Sequence, residues 1–326
     1  MMPNKDSNNL TLLFFGLGSI GKKHAKIIED NFNFNLYAYR TRKGQEKNDF
    51  KIKEFDSLED AFSTEPDVAF ITNPTNLHIK TALECVKRDI DLFIEKPISH
   101  SLENVDELKN EIQKRKIFTY VAYNLRFHPV IQDLKKYISK EEKPIYFTVK
   151  CSSYLPDWRP KQDYSKSYSA KKELGGGVIL DLSHEFDYIR WLFGEIKQID
   201  GYCEKISNLK IYSEDLLEAQ ITCDPDVKGN LHLDYFSYKN ERKIQIYYDD
   251  KYIEGDLIKN TIKIIYKNRK EKITNYPGNI NDTYKKQLEY FFAQYNDKNY
   301  NIMNNFLEAI KTFKKIINFK KEKYLI

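Results

Sequence analysis

The sequence predicts an α/β domain with a doubly wound parallel sheet, followed by an α+β domain built on a mostly antiparallel sheet. Three observations carry this. Up to about residue 123, short apolar runs alternate with stretches of helical spacing. From there to about residue 274 the chain reads instead as successive strands rich in β-branched and aromatic residues. A length of 326 residues, 41% of them hydrophobic, suits two domains at roughly 150 residues each. The division is placed at 1–124 and 125–326, with the C-terminal helix expected to pack back toward the first domain.

In the first domain the apolar runs are 11–15, 36–39, 68–72, 91–94 and 118–122, and the helical stretches are 22–29, 77–87 and 102–114. Strands joined by crossover helices form a parallel sheet covered on both faces, which is why these runs are continuously apolar rather than alternating. In the second domain, helices are expected over 129–138 and directly after Gly177. Strands are expected over 145–151, 198–205, 216–223, 229–236, 243–248 and 261–266, with hairpin turns at Asp224-Pro225-Asp226 and Asp249-Asp250. The tail has helical spacing over 281–295 and 303–317.

Composition narrows the function. The 53 basic and 48 acidic residues give a net charge of +5 spread along the chain, so no polybasic footprint points to nucleic acid. No apolar run approaches the roughly 20 residues that a bilayer span needs, so no membrane partner is expected. The polar opening residues lack the order of a secretion signal. Cys85, Cys151, Cys203 and Cys223 form no C-x-x-C pair, which argues against a zinc site or a disulfide framework, so no metal is expected and a reducing cytoplasm fits. Arginine is scarce, and Arg40, Arg126 and Arg159 each lie in a stretch that looks functional on other grounds.

The segment Gly16-Leu17-Gly18-Ser19-Ile20-Gly21 is a G-x-G-x-x-G directly after an apolar strand and before a helix. Gly16 allows the tight turn, Gly18 lets the backbone approach a pyrophosphate, and Gly21 lets helix and strand pack closely. The bare amides at the helix start, at Ser19 and Ile20, hold an anion. An NAD site usually ends its second strand in an acid, whereas here Tyr39 is followed by Arg40-Thr41-Arg42-Lys43. Basic groups there suit a 2′-phosphate and place NADP ahead of NAD; the other reading has Arg40 stacking on adenine while Arg42 and Lys43 are solvated.

Two further stretches handle protons. Glu95-Lys96-Pro97 puts a lysine at the end of a buried strand, where ligands of doubly wound sheets sit. After Gly175-Gly176-Gly177 a helix carries Asp181, His184 and Asp187 at i, i+3 and i+6, within reach of one face. Histidine is the side chain best suited to act as a general base near neutral pH, and a nearby carboxylate orients it.

On Gly16, Gly18, Gly21 and His24, on Asn73-Pro74 with His78, on Glu95-Lys96-Pro97, and on the triple-glycine helix ending Trp191-Leu192-Phe193-Gly194, the chain resembles the Gfo/Idh/MocA oxidoreductase family. The resemblance implies an N-terminal Rossmann domain and a C-terminal domain whose large open sheet often makes a dimer, hence a homodimer or higher homo-oligomer. It also implies hydride transfer between NAD(P) and a sugar or polyol. Lys96 matches the family's lysine, whose bond to the following proline is often cis, His184 the catalytic histidine, and Asp181 the substrate-orienting carboxylate. The family commonly writes D-x-x-x-H, one residue longer than the spacing here. The cofactor set then takes in Tyr39, Arg40, Asn73, Pro74, His78, Glu95 and Lys96, with Trp158 and Arg159 in a loop that in relatives folds over the nicotinamide end. Asn124, Arg126 and Tyr168, with Asp181 and His184, face the substrate.

This combination resembles members of surface-polysaccharide and nonulosonate pathways, which suggests a nucleotide-linked amino sugar. A free sugar or inositol dehydrogenase, a reductase of an imine or tetrapyrrole, and a cofactor-binding sensor that catalyses nothing are the alternatives.

Overall fold

Five consecutive buried residues, TLLFF, make the first strand, because a strand covered on both faces has no solvent side to populate with polar groups. The computed structural model describes residues 9–41, 51–140 and 143–323. By its internal contacts the chain divides into two units, the first running to Ala122 and taking back Tyr284–Ile310, the second comprising Tyr123–Thr283 and the stretch from Lys311. The division expected after residue 124 thus falls after Ala122, and the C-terminal stretch is shared between the units.

The first unit alternates β1 (Thr11–Phe15), α1 (Ser19–Asn31), β2 (Asn35–Tyr39), β3 (Lys53–Phe55), α2 (Leu58–Phe62), β4 (Val68–Ile71), α3 (His78–Val86), β5 (Asp91–Ile94), α4 (Val105–Arg115) and β6 (Thr119–Val121). The six strands are parallel in the order β3-β2-β1-β4-β5-β6. The order reverses between β1 and β4, and ligands of such sheets sit outside the strand ends at that point. One edge strand, β3, was not expected, since three residues reading Lys-Glu-Phe give no apolar run. Phe14, Phe70, Phe93 and Tyr120 lie in register on adjacent strands and stack in sequence at 4.8, 4.5 and 5.4 Å. Phe291 meets this ladder edge-on at Phe93, 5.2 Å between centroids, and that contact explains why the stretch from Tyr284 joins the first unit.

The second unit continues with α5 (Pro129–Lys140), β7 (Tyr146–Tyr154), α6 (Val178–Asp181), α7 (His184–Phe193), β8 (Ile196–Glu204), β9 (Leu216–Cys223), β10 (Val227–Asp234), β11 (Phe236–Tyr247), β12 (Lys251–Asp256), β13 (Thr261–Tyr266) and β14 (Glu271–Asn275). Two helices follow, α8 (Ile280–Asn296) and α9 (Phe306–Lys323). The eight strands run β14-β13-β12-β11-β7-β10-β9-β8, antiparallel except for the pair β7 and β10. β12 and β14 were not anticipated, because KYIEGD and EKITN are too polar to stand out.

One face of this sheet is the core: Phe147 of β7 stacks flat on Phe193 of α7 at 4.2 Å. Gly229 makes room for that ring, since a Cβ there would lie 2.3 Å from it. The other face carries charge pairs such as Lys150 with Glu241 and Lys243 with Glu254, the alternation expected of an antiparallel sheet covered on one side. No helix among the described residues is long and apolar enough to cross a membrane.

Candidate active site

The three glycines after β1 do different work. Gly16 has φ +93° and presses on Asn73, where a Cβ would come within 3.0 Å of the backbone, and a Cβ on Gly21 would lie 2.5 Å from the Gly16 carbonyl oxygen. Both are required by packing. Gly18 has φ −71°, and a Cβ there would meet nothing within 4 Å among the described residues. None of the described residues uses the space that Gly18 leaves. It opens onto a cleft of about 610 Å³ whose lining includes Phe15, Gly16, Gly18, Tyr39, Arg40, Asn73 and Pro74, together with Leu58, Leu77, Lys80 and Thr81. α1 starts there at Ser19 and Ile20 with no side-chain cap and no acid in its first turn, so its N–H groups and positive end are left to an anion. These residues fit a dinucleotide. Leu77, 42% exposed at the cleft wall, gives such a ligand an apolar face to cover.

His78, Glu95 and Lys96, also assigned to the cofactor, are not among the residues lining this cleft. His78 is buried between the carbonyl oxygens of Asn73 and Pro97, at 2.9 and 3.0 Å, tying the loop after β4 to the turn after β5. Burial pushes its pKa down, so a neutral ring donates to one of the two. Glu95 accepts from the buried His24 at 2.6 Å and from the amide of Lys96. Lys96 is half-buried at the end of β5, and its bond to Pro97 is cis, as the resemblance implied. Arg42 and Lys43 lie outside the described residues.

The single helix expected to carry Asp181, His184 and Asp187 is two helices. α6 closes at Asp181, Leu182 leaves helical geometry at φ −98° and ψ 30°, and α7 begins at His184. The amide of Ser183 reaches back only three residues, to Leu180, and this tightened turn gives the three side chains separate surroundings. Asp187 grips Arg126 through two bonds of 2.8 Å, and Trp191 lies under the guanidinium. Arg126, read as a substrate ligand, is 3% exposed and serves as a buried strut, and Asn124 likewise donates to Thr283 at 2.6 Å. His184 is buried with the Tyr123 ring edge-on at 5.7 Å.

Asp181 gathers most of what remains. It accepts from the Tyr235 hydroxyl at 2.5 Å and lies close to the Tyr168 phenol; burial, then the Asp181 charge, raises both phenols, so both stay protonated. Trp158, 38% exposed, stands edge-on to Tyr235 at 5.3 Å, and Arg159 lies over the Tyr168 ring. Trp158, Arg159, Tyr168 and Asp181 therefore form one cluster, joined by Tyr235. Sequence reasoning missed Tyr235, one of 24 tyrosines in an ordinary strand run.

The triple glycine supports that cluster. A Cβ on Gly176 would lie 2.2 Å from the Tyr168 carbonyl oxygen, and one on Gly177, at φ +114°, would lie 2.3 Å from the Glu214 carboxylate. Glu214 is fully buried, its pKa raised by burial, and Lys320 of α9 binds it at 2.7 Å while also donating to the Gly176 carbonyl.

A model described as an oxidoreductase family with an NAD-binding Rossmann fold matches residues 10–123, and one for the GFO/IDH/MocA C-terminal domain matches residues 143–254. The chain is 29% identical over 192 residues to the myo-inositol 2-dehydrogenase of Thermotoga maritima, covering 55% of this chain and 54% of that protein. The chain thus spans about half the length of that curated relative. It is 24% identical over 257 residues to the UDP-N-acetylglucosamine 3-dehydrogenase of Acidithiobacillus ferrooxidans, covering 77% and 75%. The solved structure of that enzyme superposes with a TM-score of 0.80 at 18% identity over 96% and 97% of the two chains. A levoglucosan dehydrogenase complexed with NADH superposes with a TM-score of 0.85 at 14% identity, over 97% and 98%.

Proposed function

The chain belongs to the Gfo/Idh/MocA oxidoreductase family, and on that premise we propose that it transfers a hydride between NAD(P) and a secondary alcohol or ketone of a sugar, specifically a nucleotide-linked amino sugar. The observation that carries the dinucleotide is the space beside Gly18, which no described residue fills and which faces an uncapped helix start. The loop from Gly16 to Ile20 holds the pyrophosphate, while Tyr39 and Arg40 take the adenosine end. The dinucleotide, when bound, supplies or accepts the hydride.

The protein's own part is proton handling and positioning. His184 accepts the hydroxyl proton in oxidation and returns it in reduction, and Lys96 steadies the oxygen as it becomes a carbonyl. Asp181, held by Tyr235 and close to Tyr168, orients the sugar. The nucleotide-sugar reading is supported by the likeness to the Acidithiobacillus dehydrogenase, which extends over three quarters of that protein. The likeness to the Thermotoga inositol dehydrogenase favours an unlinked polyol as the second reading. The polar outer face of the eight-stranded sheet is the surface proposed for a homodimer, and four buried free cysteines fit a reducing cytoplasm.

The test is a thermal-shift panel crossing NAD, NADP and their reduced forms with free sugars, inositols and nucleotide sugars. A ligand at 100 times its Kd adds about 2.7 kcal/mol of apparent stability. The expected result is stabilisation by a dinucleotide, with a nucleotide sugar adding more only in its presence. If no dinucleotide shifts the protein, the reading fails; if only inositols add to the shift, the second reading replaces the first.

A further inference from the structure

A basic residue after β2 reads as a 2′-phosphate ligand, but the strand that the sequence hid changes its meaning. β3 pairs with β2 and puts Glu54 opposite Ala38 and Phe55 opposite Tyr39. Arg40 is tied to this strand twice. Its amide donates to the Phe55 carbonyl at 2.9 Å, and its guanidinium donates from Nη1 to the Glu54 carboxylate at 2.9 Å. The Arg40 side chain is 15% exposed and that of Glu54 31%, so the pair sits partly out of water beside the cleft that Arg40 lines.

Resting on the dinucleotide reading above, we propose that Glu54 sets the cofactor preference, holding Arg40 in an ion pair and so favouring NAD over NADP. A 2′-phosphate carries up to two negative charges. To use Arg40 it must compete with a carboxylate already bonded to the guanidinium, and it then lies next to that carboxylate, where like charges repel. A ribose 2′-hydroxyl makes neither demand and brings no charge. Arg40 is thus a latent phosphate ligand neutralised by its neighbour, and the sequence rule that a basic residue after β2 means NADP is reversed by a glutamate fourteen positions on.

The experiment measures binding by calorimetry for NAD, NADP, 5′-AMP and 2′,5′-ADP, on the unaltered protein, on Glu54→Gln and on Arg40→Gln with Glu54→Gln. The unaltered protein is expected to bind NAD about tenfold tighter than NADP, and Glu54→Gln to tighten NADP and 2′,5′-ADP about tenfold while NAD and 5′-AMP stay within about twofold. Loss of Arg40 in the double variant abolishes the gain. Three results overturn the proposal: an NADP preference in the unaltered protein, an NAD-to-NADP ratio that Glu54→Gln leaves unchanged, or a gain that survives loss of Arg40 and so belongs to another cation such as Lys80 of the same cleft. Binding with an unchanged ratio removes only the role of Glu54. Failure of any dinucleotide or adenosine phosphate to bind removes the dinucleotide reading with it.

Discussion

Two glycine-rich turns launch the two helices that matter most, and they use glycine for opposite reasons. In the first unit Gly18 faces open space, whereas in the second Gly177 is filled against by the protein's own Glu214 carboxylate. The difference teaches that a glycine cluster before a helix marks close approach, without saying whether what approaches is a ligand or another part of the chain. One turn is the proposed binding surface; the other is a joint that braces the loop behind Asp181.

The sharpest way to break this comparison is to place a methyl group in each turn. Gly177→Ala would have to fit a Cβ 2.3 Å from a buried carboxylate pinned by Lys320, at φ +114°. It is expected to cost about 4 kcal/mol in denaturant unfolding or to prevent folding. Gly18→Ala, at φ −71° with nothing to strike, should leave unfolding within about 1 kcal/mol and instead weaken dinucleotide binding by calorimetry. Equal stability losses in the two variants would dissolve the distinction.

The chemistry proposed for the second unit is tested at His184. His184→Asn keeps a polar side chain but no base, so turnover should fall about 100-fold while the Kd for the dinucleotide stays unchanged. Steady-state kinetics beside calorimetry separates the two. Unchanged turnover would leave the second unit with no assigned base.

The contrast also accounts for what could be read in advance. Most of the first unit's strands were legible because they are apolar runs, and its candidate binding turn because the backbone proposed to bind lies within six consecutive residues, Gly16 to Gly21. β3 escaped, being short and polar, and with it went the partner that changes the meaning of Arg40. In the second unit, Asp181 and His184 stood out by residue type, but their setting did not. Tyr235, Glu214 and Lys320 come from distant stretches, and nothing local distinguishes a tyrosine that holds a carboxylate from one that packs. The break at Leu182 was equally hidden, since the spacing of Asp181, His184 and Asp187 suits an unbroken helix.

A pH experiment sharpens the first unit's side. Burial pushes the Asp91 carboxyl from its ordinary 3.8 up to about 7, opposed by its bonds to the Phe118 amide and Tyr295. The folded chain therefore keeps a proton that the unfolded chain releases above about pH 4, and stability falls as pH rises toward 7. Asp91→Asn has no charge to bury and can still accept from Phe118. Its stability relative to the unaltered protein should rise between pH 5 and pH 8, on the order of 2 kcal/mol. Denaturant midpoints across that range check it, and a constant difference would place the proton elsewhere.

The smallest effect bears on the cluster that holds the second unit's site together. Tyr235→Phe keeps the ring against Trp158 and removes only the hydroxyl bonded to Asp181, while the Tyr168 phenol stays close to that carboxylate. A lost hydrogen bond to a charged group is worth about 1.5 kcal/mol, or roughly tenfold. If Asp181 orients the sugar, the loss should fall on kcat/KM for the sugar and leave the Kd for the dinucleotide unchanged, with Tyr168→Phe acting alike. A drop in thermal stability with kcat/KM unmoved would mean that Tyr235 only packs. The cluster would then be a second structural joint like that of Gly177 and Glu214, rather than part of the site.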